Sequence, residues 1–105
     1  MKTMIQMGRR GQRVPKPQYS QIWLIHPDKE IALIKAGLYQ AENLATHVEI
    51  CQDITQLGEL MIRVLRGEKP APDVMVCNEW LAKENDERLS FYNRFLPGCQ
   101  LTHEL

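Results

Sequence analysis

Several familiar signatures are missing from this chain. No apolar run approaches the roughly 18–20 residues that a membrane-spanning helix needs, and the N-terminus carries charges without the apolar h-region of a secretory signal. No G-x-x-x-x-G-K-[ST], G-x-G-x-x-G or G-x-S-x-G pattern occurs. That removes motif support for P-loop, dinucleotide-binding and α/β-hydrolase chemistry. The three cysteines, Cys51, Cys77 and Cys99, contain no C-x-x-C pair, and with His26, His47 and His103 they show no zinc-ligand spacing. An odd number of cysteines in apolar or strand-like settings reads as reduced thiols in a cytoplasmic protein. The sequence therefore predicts no cofactor, no metal and no membrane contact.

The first 19 residues also lack any acid. They hold Lys2, Arg9, Arg10, Arg13 and Lys16, leaving eight basic against 13 acidic residues in the rest of the chain. Gly8, Gly11, Pro15 and Pro17 interrupt residues 1–18, which show no sustained period and read as a flexible basic arm. Two readings stay open for it: a solvated tail, or an arm that orders on phosphates or on a protein. The remaining residues, 19–105, suit one domain with a modest core.

Along that domain the apolar pattern alternates between strand and helix. Gln21–Ile25 is apolar on both faces, as a central parallel strand is. Asp28 is placed to cap a helix over about 29–43, with Ile31, Ile34, Leu38 and Ala41 on its inward face and Lys35 and Glu42 off it. Residues 46–51 alternate polar and apolar, the mark of a half-exposed strand. Asp53 caps a second helix with a stripe of Ile54, Leu57, Met61, Val64 and Leu65, ended by Gly67. Residues 72–78 form a third strand after a stiff Pro-containing loop, and residues 79–85 read as a loop with a short turn. A third helix over about 86–96 carries Leu89, Tyr92, Phe95 and Leu96 on one side. The cluster Glu84, Asp86 and Glu87 sits before it, where negative charge favours a helix N-terminus. Residues 99–102 complete a β-α-β-α-β-α-β order, which predicts a parallel sheet with helices on both faces.

Over residues 20–102 this pattern resembles a response-regulator receiver domain. The first strand is followed by His26-Pro27-Asp28, where the family has a run of acids. Pro72-Asp73-Val74-Met75-Val76-Cys77-Asn78 resembles the third strand, whose last residue in the family is the phosphorylated aspartate. Thr102 stands near the phosphate-sensing Ser or Thr. The resemblance implies a three-layer flavodoxin-like partial fold of about four parallel strands in the order 2-1-3-4. The chain stops before the family's fifth strand and last two helices, which implies a truncated receiver with its fourth strand at an edge. The departures argue against the family's chemistry. Asn78 is an amide and a poor nucleophile, and His26 and Pro27 supply no carboxylate for Mg²⁺. His26, Asp28, Asn78 and Thr102 would then form a degenerate acceptor pocket.

These readings yield competing functions. One is a non-enzymatic regulatory module of bacterial type that acts through protein contacts, either as a homodimer or with a heteromeric partner. Its expected binding determinant is Glu79-Trp80-Leu81, since Trp is enriched at interface hot spots. A buried loop position is the alternative for Trp80. Trp23, Phe91 and Tyr92 are expected in the core. A second function is a nucleic-acid-binding or transcription-regulatory accessory that uses the basic arm on a dimeric body. A third is a small enzyme built on Cys77 or His26. Alternation along the strand opposes that one by pointing Cys77 away from the rim that carries Asn78.

Overall fold

The structure, a computed structural model, describes residues 16–105. The elements in chain order are β1 (Tyr19–Ile25), α1 (Lys29–Ala41), β2 (Ala45–Cys51), α2 (Ile54–Leu65), β3 (Val74–Cys77), α3 (Glu79–Glu84), α4 (Asp86–Arg94) and β4 (Gln100–Thr102). The four strands form one all-parallel sheet in the order β2-β1-β3-β4. This is an α/β, three-layer, flavodoxin-like partial fold.

Local chemistry sets the helix boundaries. Asp28 Oδ1 accepts from the N–H groups of Glu30 and Ile31 at 2.9 and 3.1 Å, satisfying two donors that α1 leaves free. Asp53 does the same for α2 through the Gln56 N–H, and Gln56 reaches back to accept from the Gln52 N–H. At the far end of α1, Asn43 adopts φ 60°, and the Leu44 N–H bonds back to the Tyr39 carbonyl. Gly67, at φ 78°, plays that part for α2, with the Glu68 N–H on the Arg63 carbonyl. Asp73 ties the amino edge of the sheet together. Its carboxylate accepts from Ser20 N at 2.7 Å and Gln21 N at 3.3 Å, while its carbonyl accepts from Gln100 N.

The sheet separates two cores. One face presents Trp23, Ile25, Cys51, Met75 and Cys77 to α2, α3 and α4, whose Leu57, Met61, Leu81 and Leu89 fill the layer together with Leu96 from just beyond α4. The other presents Ile22, Leu24, Val74 and Val76 to α1. Among the described helices α1 alone joins that second core, through Ala32 and Ala36 with Tyr39 packed against them.

That packing corrects the face expected for α1. Ile31, Ile34 and Leu38 point to solvent, Ile34 being 64% exposed, while Lys35 is half-buried. The reason is that α1 is apolar on nearly every side, so its period does not select a face. Close packing on a bulky parallel sheet selects the small residues. Three further expectations also change. Glu79–Glu84 form α3 where a loop was expected over residues 79–85. Phe91 on α4 and Phe95 at its C-cap are about half exposed, although Leu89 on the helix and Leu96 just beyond it are buried. Leu65 leaves the α2 stripe for solvent, and Leu60 joins the core in its place.

Two substitutions distinguish the observed rotation of α1 from the expected one. Ala32→Leu overpacks the helix–sheet contact and is expected to cost about 1–3 kcal/mol. Ile34→Ser should stay within about 0.5 kcal/mol of the parent, as exposed sites do. Urea denaturation of both variants checks this, and the reverse order would mean that Ile34 is the buried side.

Candidate functional site at the carboxyl rim

β1 and β3 run side by side and end together, with Ile25 in register with Cys77. The Asn78 N–H donates to the Ile25 carbonyl at 2.8 Å, and the His26 N–H to the Cys51 carbonyl at 2.9 Å. This places His26 and Asn78 on the carboxyl rim of neighbouring strands, the usual location for ligands in open α/β sheets.

The rim side chains are already committed to local backbone. The Asn78 side-chain oxygen accepts from the Leu81 N–H at 3.2 Å and caps α3. His26 is buried, and its Nδ1 accepts the Asp28 N–H at 3.0 Å, so a neutral ring carries its proton on Nε2. Asp28 caps α1 through Oδ1. The Thr102 hydroxyl donates to the Glu104 carbonyl at 3.0 Å.

Of these four residues, Asn78 lines the rim cavity. The rim cavity, about 430 Å³, is lined by Lys35, Asn78, Glu79, His103 and Glu104. The sequence reading missed Lys35, His103 and Glu104. Nothing in their local pattern marks them, because the β4 exit brings His103 to within 3.3 Å of the Cys77 carbonyl only in the folded chain. Glu79 and Trp80 occupy the first turn of α3, and Trp80 is 61% exposed, not covered. Leu81 is buried in the core and presents nothing to a partner. Of the basic arm, Lys16 is exposed, and Lys2, Arg9, Arg10 and Arg13 lie outside the described residues. Among the described residues no three His, Cys, Asp or Glu side chains converge as a metal ion would need.

Cys77 lies on the sheet face turned to α2 and α4, away from the rim. Burial pushes its thiol up to about 11. Cys51 is pushed up to about 12, first by burial and then by the carboxylates of Glu49 and Asp53. Cys51 and Cys77 flank Ile25 from opposite strands, two strand spacings or ~9.5 Å apart, beyond the ~7 Å reach of a disulfide. A protonated, enclosed thiol is a poor nucleophile.

A different opening lies between α2 and α4. Ile62 and Leu65 on one wall and Phe91 and Phe95 on the other line a groove of about 560 Å³. Residues 91 and 95 are four apart, which is the signal that could have marked an apolar helix edge. No helix of the described residues is long and apolar enough to cross a membrane. Comparison with protein-family models, with curated proteins and with solved structures finds no match to this chain.

Two outcomes follow from this geometry. Asn78→Ala removes the α3 cap and is expected to lower stability by about 1 kcal/mol, whereas Asn78→Asp retains an acceptor and should stay near the parent in chemical denaturation. A loss as large for Asp as for Ala would show that the amide does something other than cap. For the thiols, the fold holds Cys77 and Cys51 protonated. Their contribution to stability is complete below the ordinary value of 9.0 and is lost as pH rises from there through about 11 and about 12. Iodoacetamide near neutral pH is expected to label them slowly in the folded chain and rapidly in denaturant. Rapid labelling of folded Cys77 would contradict its burial.

Proposed function

We propose that this chain is a non-enzymatic regulatory module of receiver-like architecture that works by binding protein and does not depend on phosphorylation. The observation that carries this reading is the use of the rim side chains. In a phosphate-accepting site, a carboxylate at the end of the third strand would attack phosphorus, with further carboxylates holding Mg²⁺ nearby. Here the strand-end residue is Asn78, whose side chain caps α3, and Asp28 and His26 serve the start of α1. Large apolar side chains meanwhile face water on α1, α2, α3 and α4. Exposed apolar clusters of this kind mark protein-binding surfaces. A cytoplasmic setting accords with three free cysteines.

A second reading rests on the charge division of the chain, five basic residues and no acid in positions 1–19. In it the arm grips nucleic-acid phosphates while the acidic body dimerises. The two readings separate in solution. Incubation with acetyl phosphate and Mg²⁺ is expected to leave the intact mass unchanged, and a phosphoryl adduct on the unmodified chain would overturn the first reading. Binding to a short duplex with a log-log salt slope of about −4 to −5, lost when Arg9, Arg10 and Arg13 are replaced by Gln, would make the second reading the better one. No salt-dependent binding would leave the protein-binding module.

A further inference from the structure

The sheet has an open edge at β2. Backbone groups of successive strand residues point to opposite edges. The Cys51 carbonyl accepts from the His26 N–H, so Cys51 and Glu49 turn their backbone groups toward β1. Val48 and Ile50 turn theirs outward, where no strand of the described residues lies. Side chains close this edge at its two ends. The Gln40 amide donates to the Thr46 carbonyl at 3.3 Å, and the Gln56 side-chain oxygen accepts from the Gln52 N–H at 2.7 Å. The outward N–H and C=O groups of Val48 and Ile50, between them, have no partner among the described residues. A free stretch of this kind is a template for one more strand.

A second groove, of about 550 Å³, lies beside this edge, between β2 and α2. Glu49, Ile50, Gln56, Glu59, Arg63 and Arg66 are among its lining residues. Most of its charges are already matched: Glu49 by Lys69 at 2.6 Å, and Arg63 and Arg66 by Glu68 at 3.6 and 3.9 Å. Glu59 has no ion-pair partner among the described residues. An exposed strand edge, with one uncommitted carboxylate in the groove beside it, fits an extended segment that carries a cation.

We propose that residues 9–13 of this chain, Arg-Arg-Gly-Gln-Arg, lie along β2 as an added antiparallel strand. The inference goes beyond both readings above and rests on neither. Position favours this occupant first. The chain enters β1 beside the start of β2, where the Tyr19 N–H donates to the Leu44 carbonyl at 2.8 Å. The place next to the free edge is two strand spacings from β1, ~9.5 Å, which three or four residues cross. Residues 15–18 supply that length, and the shortest path into β1 then runs down the edge against the direction of β2. An antiparallel edge strand on an otherwise parallel sheet is a common arrangement. Pro15 and Pro17 lack the N–H that strand pairing uses, so the paired stretch ends before them. Charge agrees with position. Residues 1–15 hold Lys2, Arg9, Arg10 and Arg13 and no acid, against nine basic and 13 acidic residues in 16–105. Side chains alternate faces along a strand, so Arg9 and Arg13 share one face and Arg10 takes the other. Either register therefore brings a guanidinium to the side of Glu59. The tether also makes the contact intramolecular, at an effective concentration in roughly the millimolar range that a free peptide must exceed.

Amide hydrogen exchange of the full chain, read residue by residue by NMR, tests this. The Val48 and Ile50 N–H groups are expected to be protected, and to stay so on dilution. The double variant Arg10→Pro with Gly11→Pro removes an N–H of each parity, so it breaks the pairing in either register. It is expected to speed exchange at Val48 and Ile50 by roughly tenfold or more. Glu49 and Cys51, bonded to β1, should keep the parent rates and so report that the body is still folded. Three results would each overturn the proposal. One is exchange of Val48 and Ile50 at an open-edge rate in the unmodified chain. Another is protection that survives the double variant. The last is protection that weakens on dilution, which a second copy pairing along the same edge would give.

Discussion

The central strand β1 is hydrogen-bonded along both edges, to β2 and to β3, and the rest of the architecture follows from that constraint. A strand in that position has no exposed face, so Ile22, Trp23, Leu24 and Ile25 must all be covered. Parallel neighbours require crossovers, and crossovers are right-handed. The step from β1 to β2 moves one way along the sheet, and the step from β2 back past β1 to β3 moves the other way, so α1 and α2 fall on opposite faces. The step to β4 continues in the second direction and puts α3 and α4 on the side of α2. Asp73 reinforces this arrangement by joining β1, β3 and β4 at their amino ends with one side chain and its own backbone.

Unequal layers result. Among the described residues three helices share one face and α1 alone covers the other. A lone helix on a flat apolar surface gains most by lying close to it, which favours Ala32 and Ala36 at the contact and turns Ile31, Ile34 and Leu38 outward. This explains why strand burial and caps were legible in the sequence while the face of α1 was not. Strand and cap signals are local: a run apolar on both faces, an Asp before a periodic stretch, a Gly after it. The inward face of an all-round apolar helix depends on the distance of the sheet, which no residue within the helix encodes. The exposure of Phe91, Phe95 and Leu65 is the same kind of fact, decided by how α2 and α4 meet over Gly58 and Tyr92.

The rim was legible in part. An apolar strand ending at Asn78 beside a strand ending at His26 predicts the position of both residues, and the structure places them there. Their work was not legible, because a cap and a ligand draw on the same residue types. An Asn that accepts a helix N–H and an Asn that lines a pocket look alike until the backbone around them is known. The cavity at this rim gathers Lys35 from α1 with His103 and Glu104 from beyond β4, residues far apart in sequence whose meeting depends on the register of Val76 with Thr102.

Surface apolar residues gather in two places on opposite faces of the sheet: a ridge on α1 and a groove between α2 and α4. That arrangement carries a hazard. A ridge of one molecule seated in the groove of the next is a head-to-tail contact, which propagates without closing unless its rotation happens to form a ring. Right-handed crossovers put α1 on one face of the sheet and α2 and α4 on the other, so one flat partner surface reaches either the ridge or the groove and not both.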